Sequence, residues 1–371
     1  MTWAAIWPPP SYRYPMLHTT QPGPQRVILV GVDTHGDRSR FEVEVDELEA
    51  LARAAGTQVV SRMLQRRSAV DPSTLIGTGK AEELAAAVRE QHAEGVIVLN
   101  SLRPRQRAAL EKVMGGDVFV MDRSVVILDI FARHARTGEG KLQVELAQLR
   151  HRAANLIGSQ DALSRLGGGI GTRGPGETKL EVDRRRIRLR ISLLEGQVLD
   201  VRKRRREQRR SREGTPVIAL VGYTNAGKSS LLNALTGARV FVADQPFATL
   251  DPTLRKIRLD DDASAIVADT VGFVSDLPKE LVAAFRATLE EVTSATLLVH
   301  VIDSSNAHWM RQREAVETVL RELGAGEKPA IVAWNKSDIA TATPSGGGVR
   351  VSAKTGAGLD ELKRAVSGAL T

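Results

Sequence analysis

Val217-Ile218-Ala219-Leu220-Val221-Gly222-Tyr223-Thr224-Asn225-Ala226-Gly227-Lys228-Ser229 decides how the rest of this sequence is read. The apolar residues Val217 to Val221 predict a short buried strand, and the apolar pattern after Ser229 and Ser230 predicts a helix. A strand, a glycine-rich turn closed by Gly-Lys-Ser and a helix is the setting a P-loop requires. The glycines let backbone N–H groups converge on phosphates, and the helix start favours negative charge. Lys228 reaches the outer phosphates and Ser229 ligates Mg²⁺ in such a loop. Gly222, Tyr223, Thr224, Asn225, Ala226, Gly227, Lys228, Ser229 and Ser230 are therefore the first candidate nucleotide contacts. This pattern implies a nucleoside triphosphatase and leaves the base unchosen.

Downstream, Asn335-Lys336-Ser337-Asp338 follows the apolar run Ile331 to Trp334 and selects the base. A carboxylate at Asp338 accepts two hydrogen bonds from the N–H and exocyclic amine of guanine, whereas adenine leaves it unpaired and desolvated. Losing a built-in polar contact of this sort discriminates by about 10⁴ or more. Ser352-Ala353-Lys354, after Arg350-Val351, fits the loop whose backbone meets the guanine oxygen.

Between these segments stands Asp269-Thr270-Val271-Gly272-Phe273, at the end of the strand expected over Ala265 to Ala268. Asp269 is placed to hold Mg²⁺ through water, and the Gly272 amide to approach the γ-phosphate. Upstream, Phe247-Ala248-Thr249-Leu250-Asp251-Pro252-Thr253 must supply a second hydroxyl to Mg²⁺, Thr249 is chosen over Thr253, and Phe247, Ala248, Thr249, Leu250 and Asp251 are candidate nucleotide contacts. The expected metal ligands are thus Ser229, Thr249 and Asp269, and the expected catalytic groups Lys228, Thr249 and Gly272. In this order and spacing, the segments resemble the motif set of the translation-factor-like GTPases. Phe273 stands where Ras-like relatives carry the glutamine that orients the attacking water, which a phenyl ring cannot do. Unaided hydrolysis should therefore be slow. Asn225 fits either a potassium ligand or a simple loop hydrogen bond, and the Tyr223 and Trp334 rings are read as packing.

Outward from the nucleotide motifs, charge divides the chain. Of its 52 Lys and Arg and 44 Asp and Glu, positions 214–371 hold 16 and 18, which leaves 36 and 26 in positions 1–213. A basic first half points to a polyanionic partner, most often nucleic acid, because basic side chains on phosphates release condensed counterions. From Val27 to Met121 short apolar runs alternate with helical patterns, as in a small parallel sheet flanked by helices. The strands are expected over Val27–Val32, Gln58–Ser61, Val96–Leu99 and Val118–Met121, and the helices near Val45–Ala55, from Ala81 and from Pro104.

Two matched apolar stripes come next: Leu142, Leu146, Leu149, Ala153 and Leu156, then Ile187, Ile191, Leu194, Val198 and Val201. Their period predicts an antiparallel helical hairpin with a coiled-coil-like seam. Beyond Val201 the second helix is arginine-rich and devoid of apolar residues until Pro216, so that end is expected to face solvent or a partner.

The length predicts more than one domain. The expected division is an extension over 1–26, an α/β subdomain over 27–122, a hairpin over 123–213 and a doubly wound nucleotide domain over 214–371. No apolar run approaches the roughly 18 residues of a membrane span. With no cysteine, disulfides and thiolate metal sites are excluded, and a reducing compartment, the cytoplasm, is expected.

The chain resembles the HflX family from about residue 27 onward. Besides the nucleotide motifs, the resemblance rests on Asp276-Leu277-Pro278, Leu281 to Glu291, Ile76-Gly77-Thr78-Gly79-Lys80 and Leu128-Asp129-Ile130-Phe131. It rests above all on Gly140-Lys141-Leu142-Gln143-Val144-Glu145-Leu146-Ala147-Gln148-Leu149 and Gly168-Gly169-Ile170-Gly171-Thr172-Arg173-Gly174-Pro175-Gly176-Glu177-Thr178. Similarity to HflX implies a cytoplasmic, monomeric GTPase that uses GTP, GDP and Mg²⁺, binds the large ribosomal subunit and its RNA, and splits ribosomes under stress. The glycine-rich tip over Gly167–Gly176 suits close approach to RNA phosphates, with Arg173 adding a cation. Alternative readings are a ribosome-assembly chaperone locked by GTP, and an ATP-dependent RNA remodeller acting through the N-terminal half. For the latter, Ile76-Gly77-Thr78-Gly79-Lys80 lacks full phosphate-loop spacing and reads as a turn before a helix. Many relatives carry a further C-terminal domain, and the resemblance implies none of that domain's contacts for this chain.

Overall fold

The structure, a computed structural model, describes residues 24–115, 117–164, 179–210, 214–237, 245–259, 264–275, 289–340 and 346–371. The glycine-rich tip, Asp276-Leu277-Pro278, most of the segment Leu281 to Glu291 and nearly all of the extension lie outside these residues. Two compact units emerge: the described residues of Met1–Ile130 with His151–Arg185, and those of Phe131–Arg150 with Arg186–Thr371.

In the first unit, β1 (Gln25–Asp33), β2 (Thr57–Arg66), β3 (Gly95–Val98) and β4 (Phe119–Asp122) form a sheet of order β2-β1-β3-β4, parallel throughout. β1 and β3 are buried along almost their whole length, which is why both read as unbroken apolar runs. The helices α1 (Arg38–Ala54), α2 (Thr78–Glu90) and α3 (Pro104–Met114) connect them. Ile28, Val30, Leu75, Leu84, Val96, Leu110 and Val120 form a shared core.

β2 runs five residues beyond the expected Ser61. It is an edge strand, so its outward positions carry long polar side chains in place of a second apolar row. Arg62, for instance, is drawn to Asp46 at 2.7 Å and also pairs with Glu49, both from α1. Gly77 ends the preceding loop as the N-cap of α2, and Lys80 pairs with Glu83 at 2.7 Å, so this glycine-rich stretch is a turn opening a helix.

Sequence reasoning set no helix of its own after Met121, yet α4 spans Arg123–His134. Val125, Val126, Ile127, Leu128, Ile130 and Phe131 are all buried, so the segment shows no polar face from which a period is read. The expected hairpin is formed by α5 (Gly138–Ser164) and α6 (Lys179–Arg210). Within the second unit Glu139 near the start of α5 meets Arg205 at 2.8 Å, while Glu145 and Arg150 further along α5 meet Arg190 at 2.8 Å and Glu195 at 2.7 Å further back on α6, the sense of antiparallel helices. Leu146, Leu149, Ile187, Leu194 and Val198 are buried, as the stripes required.

The rest of the second unit is a six-stranded sheet of order β10-β9-β8-β5-β7-β6. Its strands are β5 (Val217–Val221), β6 (Thr253–Arg258), β7 (Ser264–Asp269), β8 (Leu297–Asp303), β9 (Ala330–Asn335) and β10 (Val349–Arg350). All neighbours are parallel except β6, which runs antiparallel to β7 at the edge. The helices are α7 (Lys228–Thr236), α8 (Glu290–Ser294), α9 (Trp309–Glu322) and α10 (Leu359–Leu370). Leu231, Leu232, Val267, Val299, Val301 and Leu362 lie in one core that fixes the carboxyl edge of the sheet, where β5 releases the P-loop. Among the described residues no helix is long and apolar enough to cross a membrane.

Candidate nucleotide-binding site

At the end of β5 the chain turns over the sheet with almost no space for side chains. A Cβ on Gly222 would stand 2.3 Å from the Val301 carbonyl oxygen, and one on Gly227, whose φ is +90°, would stand 2.3 Å from the Asn335 amide nitrogen. Lys228, the first residue of α7, is buried, and its Nζ donates to the Gly222 carbonyl at 3.1 Å and the Tyr223 carbonyl at 2.8 Å. Burial pulls its pKa down to about 8, against the opposing attraction of Asp269. Gly272 crosses this lysine so closely that a Cβ would lie 2.9 Å from Thr224 Cα and 3.1 Å from Lys228 Nζ.

The three oxygen donors expected to hold a metal ion converge. Ser229 Oγ lies 2.8 Å from Thr249 Oγ1 and 2.5 Å from Asp269 Oδ2. Asp269 is fully buried, and burial raises its pKa although the Ser229 hydroxyl, Lys228 and Thr249 oppose that rise. Its other oxygen, Oδ1, is buried with no hydrogen-bond partner among the described residues. Adjacent oxygens in an octahedral shell of about 2.1 Å radius are separated by about 3.0 Å, close to the spacing of the two hydroxyls, so these hydroxyls and the orphaned carboxylate oxygen suit a small hard cation. Thr253 begins β6 opposite Asp269 in the ladder, and it is Thr249 that meets Ser229.

A second cluster of contacts ties the base-reading segments to the P-loop. Asn335 Nδ2 donates to the Ala226 carbonyl at 2.9 Å, while its Oδ1 accepts from the Ala353 amide at 3.0 Å. Ser352 Oγ donates to Asp338 Oδ1 at 2.7 Å and accepts from the Thr355 amide at 3.1 Å. That hydroxyl is the main reason the exposed Asp338 carboxyl titrates below its usual range. Lys336 sits at a φ of +59° with Nζ 2.7 Å from Asp303 Oδ2.

A cleft runs past Thr224, Lys228, Ser229, Ala248, Thr249 and Gly272. Asn225, Gly227, Ser230, Phe247 and Thr270 also line it. Leu250 and Val271 are buried beside it, and Tyr223 turns its hydroxyl to Ser275 at 2.8 Å. Asp251 is placed elsewhere: its carboxylate accepts from the Arg136 and Thr137 amides at 3.0 and 2.9 Å. Ser337 and Lys354 stay with the base-reading loops, the Ser337 amide donating to the Val351 carbonyl at 3.1 Å.

Phe273 is buried, and its backbone is zipped to the P-loop by Thr224 N to Phe273 O at 2.7 Å and Phe273 N to Gly222 O at 3.1 Å. Trp334 packs edge-on against Trp309, with ring centroids 5.0 Å apart. At the arginine-rich end of α6, Arg205 lies 2.8 Å from Glu139 and Arg202 3.4 Å from Glu290. Those two are committed within the chain instead of facing solvent, because the acids they meet lie far away in sequence.

Sequence reasoning missed Gln245 in the cleft, Asp303 beside Lys336 and the Asn335 bridge. Only the last had a local signal, an amide side chain at the end of a strand.

Three family profiles match in succession. Residues 42–132 match one described as GTP-binding GTPase N-terminal, 134–212 one described as GTP-binding GTPase Middle Region, and 217–336 one described as 50S ribosome-binding GTPase. The chain is 48% identical over 346 residues to a protein named GTPase HflX from Lacrimispora saccharolytica, covering 91% of this chain and 81% of that one. It is 49% identical over 346 residues to the GTPase HflX of Caldanaerobacter subterraneus, with 92% and 80% covered. It is 46% identical over 354 residues to the GTPase HflX of Escherichia coli, with 92% and 82% covered. A crystal structure of SsGBP with GDP superimposes with a TM-score of 0.52 at 24% identity, over 93% of this chain and 98% of that one, which shows a shared fold.

Proposed function

The chain belongs to the HflX family of GTPases, and on that premise we propose that its GTP hydrolysis times its residence on the large ribosomal subunit, where it splits or rescues ribosomes. One observation carries the nucleotide half of this reading. Asn335 joins the P-loop at Ala226 to the loop at Ala353, so the phosphate cradle and the base-reading carboxylate belong to one hydrogen-bonded frame. Asp338, set by Ser352, accepts from the guanine edge, and the Ala353 and Lys354 backbone lies by its oxygen. Lys228 exchanges its two carbonyl partners for the outer phosphates, whose charge restores the full ammonium. The Gly272 amide meets the γ-phosphate.

Ser229, Thr249 and Asp269 would hold Mg²⁺, which would supply positive charge to neutralise the phosphate tail. With Phe273 built into the core, no side chain from that position orients the attacking water, so turnover in isolation is slow. K⁺ held by Asn225, an asparagine in the P-loop, is proposed as one organiser of that step, and a ribosomal partner as the other. Water attacks the γ-phosphorus, the bond to the β–γ bridging oxygen breaks, and GDP and phosphate leave.

The ribosomal half rests on the profile over 217–336 and on charge. The first 213 residues carry the basic excess, and Arg186, Arg188, Lys203 and Arg204 stand exposed on α6, suited to RNA phosphates. We assign the α/β subdomain to 27–122, the hairpin to 123–213 and the nucleotide domain to 214–371, and place a monomer in the cytoplasm. Co-sedimentation with separated subunits tests the proposal. Retention on the large subunit with a non-hydrolysable GTP analogue, and release with GDP, are expected. Equal sedimentation in both nucleotide states, or none with either, would refute it.

A further inference from the structure

The segment that carries Thr249 is fastened on one side to the end of α4 and on the other to the turn that opens α5, at the base of the helical hairpin. On one side Phe247, at a φ of +58° that a bulky residue rarely adopts, is buried with its ring edge-on to Phe131 at 4.6 Å between centroids. On the other, Asp251 accepts from the Arg136 amide at 3.0 Å, the Thr137 amide at 2.9 Å and Thr137 Oγ1 at 2.5 Å. The same Thr137 hydroxyl accepts from the Gly140 amide at 2.9 Å, so it caps α5 while it clasps Asp251. A carboxylate at a helix N-terminus is also favoured by the helix dipole. Gly140 leaves the space: a Cβ there would stand 2.4 Å from Asp251 Oδ1. From the other helix, Arg205 reaches Glu139 in the first turn of α5, so both arms of the hairpin meet at this corner.

We propose that Thr137 and Asp251 are positioning residues for Thr249: the hairpin base holds the phosphate-sensing segment in its metal-ligating place, and nucleotide state and hairpin position are coupled through this clasp. This rests on the GTPase reading given above. Thr249 lies between the two attachments, with its hydroxyl already on Ser229. Detaching Asp251 therefore frees Thr249 without touching the P-loop. By linkage, whatever moves the hairpin base weakens γ-phosphate binding, and γ-phosphate binding stiffens the hairpin base by the same factor.

The test uses the full chain and fluorescent nucleotides. Affinities for GDP and for a non-hydrolysable GTP analogue are measured with Mg²⁺ for wild type, Asp251→Ala, Thr137→Val and Thr137→Ser. Asp251→Ala and Thr137→Val are expected to lose affinity for the analogue, and to need more Mg²⁺ for it, by about tenfold to a hundredfold. GDP affinity should hold, which also reports that the pocket is folded, and Thr137→Ser should retain wild-type behaviour. An analogue-to-GDP ratio unchanged in both disrupting variants overturns the clasp while leaving the GTPase reading intact. Wild type that binds no guanine nucleotide overturns both.

Discussion

The two sheets of this chain share an architecture and part company at their carboxyl edges. In open α/β sheets a ligand crevice opens where successive connections leave in opposite directions. In the four-stranded sheet that fork lies between β1 and β3, and Asn100 fills it, accepting from the Val32 amide at 2.8 Å and donating to the Val32 carbonyl at 3.0 Å. In the six-stranded sheet it lies between β5 and β8 and is floored by Gly222 against the Val301 carbonyl, where no side chain fits. One fork is closed by an amide that satisfies its own strand, the other by bare backbone. Architecture is therefore no guide to which sheet binds a nucleotide; the residue that leaves the strand is.

The strongest way to break this comparison is at the base. Asp338→Asn replaces an acceptor with a donor, and guanine affinity should fall by about 10⁴ while xanthine nucleotides gain. Competition between GTP and xanthosine triphosphate reads it, and an unaltered preference would remove Asp338 from the base pocket. Next comes Lys228→Ala, which should cut nucleotide turnover by about 100-fold or more. Hydrolysis that survives this substitution would mean that a second site operates elsewhere, the N-terminal sheet being the obvious place.

What the sequence disclosed follows the same contrast. The P-loop, the Asp269 to Gly272 turn and the Asn335 to Asp338 loop are local, each a strand followed by residues of fixed chemistry, and their elements were readable from short windows. β2 beyond Ser61 was not, since an edge strand buries only part of one face, and α4 was not, since burial on all sides erases the period. The Asp251 to Thr137 contact joins residues 114 apart, and nothing in Thr137-Gly138-Glu139-Gly140 announces an acceptor so distant. Asp251 was read with its neighbours as a nucleotide contact because proximity in sequence is all a motif offers.

A smaller effect separates the two forks by stability. Asn100→Ala leaves the Val32 amide and carbonyl without their partner, at a cost of about 1–3 kcal/mol. Thermal unfolding should begin at lower temperature, while GDP affinity stays at its wild-type value. Weakened GDP binding would instead tie this fork to the nucleotide site.

The smallest effect is a titration confined to the glycine-floored crevice. Lys228 has a pKa of about 8 without phosphate, lowered by burial and partly restored by Asp269. Phosphate supplies a nearby opposite charge and raises that value in the complex. Well below pH 8 the lysine is charged in both states and binding takes up no proton there. Above it the unliganded lysine is neutral, so binding draws a proton from solution and affinity falls by up to about tenfold per pH unit until the complex itself deprotonates. Calorimetry near pH 9 in buffers of different ionisation heat should show that uptake, and Lys228→Arg, which does not titrate there, should abolish it. Asp338, held below the usual carboxylate range by Ser352, contributes nothing in this window. Absence of uptake in the wild type would mean that Asp269 outweighs burial and keeps the ammonium charged before any phosphate arrives.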